Sequence, residues 1–294
     1  MSRLIEMNQY PRISVITPSY NQGRFIEETI TSVLGQFYPN LEYIIMDGGS
    51  TDNTVEIIKK YSEKIHHWES KKDKGQAYAI NRGMEMASGD ILCWLNSDDV
   101  WLPGTLDFIV NNLNAGKAEI IYGNCIHIQE NSSLSFGSNV IEMSKGHALK
   151  IHDYVIQPSS FWTRKTFEKV GKLNEGLNFV FDWEWFIRAQ SAGVHFLPIN
   201  KYLSMYRMHD SYKTGTGGNK RLKEIQELYL KYSGDEAYAL SVEILKKKTL
   251  IKSIDRIFKG RGLARFNPVA KRFSLSSSLD ISVVESMKSM LGVH

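Results

Sequence analysis

The chain has 294 residues, 42% hydrophobic and 23% charged, with 36 Lys and Arg against 32 Asp and Glu for a net charge of +4. This is soluble globular composition, enough for one large domain or one plus a small annex. The mild positive charge tolerates a phosphate-bearing ligand or an anionic surface and gives no reason to expect nucleic acid. The two cysteines, Cys93 and Cys125, each sit in an apolar run and are expected as reduced core residues. The opening "MSRLIEMNQYPR" has no apolar leader region and no stretch reaches membrane-span length, so the expected location is cytoplasmic.

Strand and helix signals alternate through the first half. "ISVITPSY" (13–20) is a β-rich run, and "RFIEETITSVLGQF" after it places Ile26, Ile30, Val33 and Phe37 at helical spacing. "LEYIIMDGGS" (41–50) is a second strand, followed by "TDNTVEIIKKY" with capping residues and Val55, Ile58 and Tyr61 on one face. "IHHWES" is a third strand candidate. The helix in "KGQAYAINRGMEMASG" carries Ala77, Ile80, Met84 and Ala87, and "DILCWLNSDD" and "AEIIYGNCIHI" supply two more strands. Beyond residue 130 the pattern loosens. The stretch 157–171 is expected to end in a helix and 181–193 to be another, then a strand in "VHFLPINKYLSMYRMH" and helical sequence after about 219.

Apolar strands alternating with helices imply an α/β fold with a largely parallel sheet covered on both faces. Ligands of such sheets sit beyond the carboxyl ends of the strands. Three polar segments lie there: Thr17-Pro18-Ser19-Tyr20, Asp47-Gly48-Gly49-Ser50 and Asn96-Ser97-Asp98-Asp99. In an extended strand Asp98 and Asp99 would point to opposite faces, so the pair is expected in a turn where both reach one ligand. A divalent cation with oxygen ligands, Mg²⁺ or Mn²⁺, suits them, and no Cys or His cluster stands near for structural zinc. The plain alternative is a surface turn or helix cap. Asp47 precedes two glycines that let a ligand approach the backbone, and Lys74 and Arg82 flank a helix start suited to phosphate. No dinucleotide fingerprint follows the first strand and no Walker lysine motif occurs, so NAD and ATP readings lack their glycines.

The segments "VITPSYNQGRFIEETITSVLGQFYPNLEYIIMDGGSTDNT" and "DKGQAYAINRGMEMASGDILCWLNSDD" strongly resemble the nucleotide-sugar half of glycosyltransferase family 2. The resemblance covers about residues 11–105 with several motifs in order, and continues more weakly to about 210. It implies a GT-A fold, a Rossmann-like sheet with helices on both faces, over residues 1–218, with an acceptor half at 106–218 and a helical extension at 219–294. It further implies inverting transfer from a nucleotide-diphosphate sugar, with a UDP-sugar expected, and a divalent metal. Pro18 and Tyr20 match positions lining the nucleoside pocket, and Asp47 the carboxylate that reads the base. Asp98 matches the ribose-side member of the metal motif and Asp99 its metal-binding member. His209 resembles a histidine that approaches the metal or diphosphate, with a purely structural histidine as the alternative.

An inverting transfer needs a general base for the acceptor hydroxyl. "FDWEWFIR" offers Asp182 and Glu184, about 200° apart around a helix, so the two cannot share a face. Glu184 is four residues from Arg188, spacing that suits an ion pair. Asp182 matches the Asp of the family's Glu-Asp acceptor motif, with Phe181 in place of the Glu; a helix N-cap is its plain alternative. "QPSSFW" resembles the acceptor-side segment, making Gln157 and Ser159 acceptor candidates. Trp183, Trp185 and Trp162 could stack on sugar, with core packing the expected fate of at least two. The glycine-rich stretch 215–218 suits lid hinges that would carry Lys213, or a flexible linker.

From Lys246 to Arg272 basic residues outnumber acidic ones, with Leu250, Ile254 and Ile257 on one helical face. This fits a peripheral contact with an anionic membrane, a helix packed on the catalytic domain, or a dimer contact. The expected function is transfer of a hexosyl or N-acetylhexosaminyl group to a carbohydrate or lipid-linked acceptor in surface polysaccharide or glycolipid assembly. Two other classes compete: a non-catalytic sugar-nucleotide binding module, and a nucleotidyltransferase, for whose triphosphate loop "TPSYNQGR" is a poor match.

Overall fold

The computed structural model describes residues 10–130, 133–146, 148–246 and 281–292. The chain divides into two compact units, one drawn from Met1–Met143 and Tyr154–Thr216, the other from Ser144–Asp153 and Gly217–His294. Residues 1–9 and, Lys246 apart, the basic stretch to Arg272 lie outside the described residues. Among the described residues no helix is long and apolar enough to cross a membrane.

The first unit is built on a nine-stranded sheet. Its strands are β1 (Ile13–Ser19), β2 (Leu41–Asp47), β3 (His67–Ser70), β4 (Ile91–Trp94), β5 (Val100–Trp101), β6 (Glu119–Gln129), β7 (Leu134–Gly137), β8 (Ser160–Thr163) and β9 (His195–Met208). The order is β3-β2-β1-β4-β8-β6-β9-β5, with β7 also pairing with β6. The parallel pairing expected from strand–helix alternation holds for β3-β2-β1-β4 and for β6 with β9. β8 enters antiparallel between β4 and β6, and β5 runs antiparallel to β9, so the second half of the sheet is mixed. Parallel neighbours need a crossover connection, and the helices between β1 and β4 and those between β6 and β9 supply it.

Helices α1 (Ile26–Leu34), α2 (Thr54–Lys60) and α4 (Thr105–Asn112) lie on one face and α3 (Gln76–Met86), α5 (Arg164–Val170) and α6 (Phe181–Ser191) are the other long helices of this unit. The face under α1, α2 and α4 is an apolar layer including Ile13, Val15, Ile45, Ile91 and Cys93 from the strands and Ile30, Ile57 and Ile109 from the helices. Such burial on both faces is why β1, β2 and β4 are predominantly apolar, with Ser14 and Glu42 bonded to each other inside. α1 stops earlier than its spacing suggests. Phe37 lies beyond its end at φ 50° and is 90% exposed. Gly35 and the downstream Pro39 do not favour continuation, and Gln36 takes the inward position, its amide held by the Ser32 and Leu102 carbonyls.

α3 lies close against β1. A Cβ added at Gly83 would stand 2.6 Å from Ile16 Cγ2, well inside contact distance. In the second unit, α8 (Gly218–Ser233) is tied to the 144–153 segment by Tyr229, whose hydroxyl donates to the Ile151 carbonyl at 3.2 Å. A further helix covers 235–246, and another spans Ile281–Met290.

Alanine has the higher helix propensity by about 1 kcal/mol, so Gly83→Ala would stabilise an isolated α3. In the folded protein overpacking against Ile16 costs about 1–3 kcal/mol, and the expected result is a lower melting temperature by calorimetry.

Candidate active site

β2, β1 and β4 are parallel neighbours, so their carboxyl ends open on one edge of the sheet. The loops after β1 and β2 are stitched together. Asn21, at φ 53°, receives the Ser50 hydroxyl on its side as an acceptor for its N–H at 2.7 Å, while its own Oδ1 accepts from Thr51 N–H at 2.8 Å. Gly23 N–H donates to Asp52 and Gln22 N–H to Thr54. Pro18 is buried in the end of β1, and Tyr20 just beyond it is 60% exposed. Ser19 Oγ is buried there with no hydrogen-bond partner.

Asp47 is buried at the end of β2. Its carboxylate accepts from Gly49 N–H (3.1 Å), Ser50 N–H (2.9 Å), Ser50 Oγ (2.5 Å) and Ser70 Oγ (2.6 Å). It therefore organises the Gly-Gly loop and the end of β3 before any ligand arrives. Asp73, which the sequence reading passed over, packs its carboxylate against Gly48 and accepts from Gly75 N–H at 2.8 Å. Burial raises its pKa, the Gly75 N–H opposes this, and the neighbouring Asp47 charge adds to it. Lys74 lies over the Tyr78 ring, and Arg82 faces Glu69 at 4.0 Å, so these cations stand on separate partners.

After β4 the chain turns at Ser97-Asp98 and re-enters the sheet as β5, paired with β9. That pairing carries Arg207 and His209 to the turn. Asp99 is 1% exposed. Its Oδ1 accepts from Arg207 N–H at 3.2 Å and its Oδ2 from Asn96 Nδ2 at 3.3 Å, while Thr29 Oγ1 caps its carbonyl at 2.8 Å. Arg207 also sends Nε to the Asp98 carbonyl (3.3 Å) and Nη2 to Glu28 (2.5 Å), with its guanidinium 5.3 Å from the Phe25 ring centre. Burial pushes the Asp99 carboxyl well above the usual range, the Asp98 charge pushes further, and the Arg207 and Asn96 donors only partly offset them. The half-buried Asp98 receives His209 Nε2–H at 3.1 Å, and Ser211 engages His209 Nδ1 at 3.1 Å.

Among the described residues no group of three or more His, Cys, Asp or Glu side chains closes around a point. The donor set present is nonetheless the right chemistry for Mg²⁺ or Mn²⁺: hard carboxylate oxygens on a buried turn, with the rest of the shell left to phosphate oxygens and water. A cation there would relieve the like-charge pressure on Asp99.

On the acceptor side, Asp182 sits half-buried in the first turn of α6, its Oδ1 accepting from Trp183 N–H at 2.8 Å. Glu184 is 2% exposed and takes Arg188 Nε at 2.9 Å; Arg188 is fixed in turn by the Val170 and Lys172 carbonyls. Trp162, Trp183 and Trp185 are all buried, so none presents a face to sugar. Trp94, Trp162, Trp185 and Phe181 instead form a ring-on-ring core. Ser159 is likewise buried, bonded to the Asn124 carbonyl and Ser204, which removes it as an acceptor contact. Gln157 lies beneath the turn with its amide engaged by Asn96 and the Trp94 carbonyl.

The sequence model of glycosyl transferase family 2 matches residues 14–190. The chain belongs to this family. A glycosyltransferase of Rickettsia typhi, itself uncharacterized, is 31% identical over 240 residues, covering 76% of this chain and 73% of that one. The Escherichia coli UDP-Glc:alpha-D-GlcNAc-diphosphoundecaprenol beta-1,3-glucosyltransferase WfgD is 35% identical over 121 residues, 41% of this chain; the chain's match spans about half of that enzyme, 48%. Among solved structures, mannosyltransferase PcManGT from Pyrobaculum calidifontis in complex with GDP-Man and Mn²⁺ superposes with a TM-score of 0.60 at 17% identity, over 96% of this chain and 85% of that one. That likeness establishes the GT-A fold. In a family 2 glycosyltransferase the strand ends just described are the expected place of the reaction. The contacts of Arg207 and Gln76 at this edge have no counterpart among the residues singled out from sequence, and Asn96 stood there only as part of its polar segment. The "R-M-H" closing β9 and the Asn in "LNSDD" are visible in the sequence, but only the folded sheet shows what they touch.

Because Asp99 is raised when folded, its ionisation costs the free protein stability; the cost is absent at acid pH and grows as pH rises above the ordinary aspartate range. Asp99→Asn should therefore leave the melting temperature of the ligand-free protein unchanged or raised, with a larger gain at pH 8 than at pH 4. It should simultaneously abolish transfer. A thermal scan across pH, beside a turnover assay, checks both halves.

Proposed function

We propose that this chain is a metal-dependent inverting glycosyltransferase moving a sugar from a nucleotide diphosphate, UDP foremost, to a hydroxyl of a lipid-linked or carbohydrate acceptor in surface polysaccharide or glycolipid assembly. Its catalytic domain is residues 1–218, and 219–294 an extension. The observation that carries this reading is the buried Asp99 carboxylate, held by N–H donors from β9 and Asn96 at a shared strand-end edge with Asp98 and Asp47. UDP and the lipid-linked acceptor are supported by the activity for which WfgD is named, and the metal by the Mn²⁺ in the PcManGT complex.

Tyr20 offers an exposed ring to the base beside the loops organised by Asp47 and Asn21. Asp98, braced by His209, faces the ribose side. Asp99 would hold Mn²⁺ or Mg²⁺, with His209, engaged by Asp98 and Ser211, acting through the Asp98 carboxylate rather than as a ligand itself. When bound, such an ion supplies Lewis-acid stabilisation of the leaving diphosphate. Asp182 accepts the proton of the acceptor hydroxyl as its oxygen attacks the anomeric carbon, and the bond from that carbon to the diphosphate breaks with inversion. Glu184, buried under Arg188, holds α6 in place.

Asp182→Asn should lower kcat by at least about a hundredfold with the melting temperature little changed. Glu184→Gln should do the reverse, losing stability while keeping most turnover. Comparing UDP-sugar turnover and thermal denaturation for the pair decides the matter; equal losses of turnover would remove Asp182 as the base.

A further inference from the structure

Gln76 opens α3, and its carboxamide is engaged at both ends. Its Oε1 accepts from the Lys213 ammonium at 2.9 Å and its Nε2 donates to Asn96 Oδ1 at 2.8 Å. Asn96 Nδ2 passes donors on to Asp99 Oδ2 at 3.3 Å and Gln157 Oε1 at 3.2 Å. Gln157 Nε2 ends the chain on the Trp94 carbonyl at 2.8 Å.

The direction of this chain is fixed by its ends. An ammonium only donates, while a carboxylate and a backbone carbonyl only accept. Trp94 forces the NH₂ of Gln157 toward itself, leaving the Gln157 oxygen to accept from Asn96. Asp99 makes the same demand on Asn96, whose oxygen then needs a donor from Gln76, whose own oxygen then needs one from Lys213. Reversing any one amide sets like groups face to face. An aspartate at 96 could not donate to Asp99 or to Gln157, so the chain needs the asparagine that this turn has.

Lys213 belongs to α7 (Lys213–Thr216), four residues past His209. Its ammonium lies 5.2 Å from the Phe181 ring centre and 5.9 Å from that of Phe179. Phe181 stands where the family pattern has the Glu of Glu-Asp, so an aromatic face beside Asp182 helps to seat this cation.

We propose that Gln76 and Asn96 are positioning residues for the transfer reaction, forming with Lys213 a one-way amide relay that fixes the side-chain orientation of Asp99. The proposal rests on the role given to Asp99 above. It makes the seating of the segment after β9 felt at the carboxylate that serves the donor. Residues that orient a metal-holding side chain from behind typically matter about 10–100-fold in metal affinity.

The test is a double-mutant cycle on the full chain with Gln76→Leu, Lys213→Met and both, read in two ways. In protein carrying ¹⁵N-labelled Asn and Gln, Lys213→Met should shift the side-chain NH₂ resonances of Asn96 and Gln157, and should not shift them further once Gln76 is Leu. Mn²⁺ affinity in the presence of UDP, followed by the electron paramagnetic resonance of the free ion, should fall about tenfold in each single variant. The double variant should be no weaker than Gln76→Leu alone. Unmoved Asn96 resonances, or losses that multiply in the double variant, would overturn the relay. Should Gln76→Leu fail to fold, Gln76→Met takes its place in the same cycle. If the wild-type chain binds no Mn²⁺ with UDP, the metal role given to Asp99 fails, and the relay is still decided by the amide resonances.

Discussion

A carboxylate buried at the end of a strand must be surrounded by donors or stay protonated, and that requirement organises the first unit. Asp99 is reached from several directions: Thr29 of α1 donates to its backbone carbonyl, Asn96 Nδ2 to one carboxylate oxygen and the Arg207 N–H of β9 to the other. The donors are amide N–H groups, which hold the side chain in place without cancelling its charge. The arrangement leaves Asp99 under the combined pressure of burial and the neighbouring Asp98 charge.

The same logic separates the carboxylates of the site. Asp47 has its acceptor positions filled by the loop it organises, so it acts first as scaffold. Glu184 is neutralised by Arg188 inside the protein. Asp98 and Asp182 are the half-buried ones, positioned by one or two neighbours. Acidic residues of similar chemistry are thus sorted by surroundings into internally satisfied and partly exposed sets.

Much of this was legible in the sequence. Apolar runs and period-3.6 patterns placed the first four strands and their helices, and polar residues stood out at three strand ends that share one edge of the sheet. The Glu184–Arg188 spacing foretold an ion pair that is present at 2.9 Å. What sequence hid depended on pairing between distant segments. Nothing local in "YRMH" says that the Arg207 backbone will face Asp99, and the exposed Phe37 has the right spacing for a helix that Gly35 ends. The tryptophans could be read as sugar platforms or as core, and only the packed sheet decides for core. Asn96 was in plain view beside the aspartates, but its value lies in the direction of its amide, a property composition does not carry.

The β5–β9 pairing has a consequence for how the protein comes to be active. Glu28 and Arg207 are 179 residues apart, Asp98 and His209 111 apart, and Asp99 and Arg207 108 apart. The similarity-matched segment ends at residue 190, before either β9 partner. Closing loops of this length is entropically slow, so the acidic turn is among the last parts of the unit to settle. During synthesis the strands that define the family would already be present while Asp99 still lacked its β9 donor. Catalytic competence then arrives with the final strand of the sheet, which makes activity a stringent reporter of complete folding.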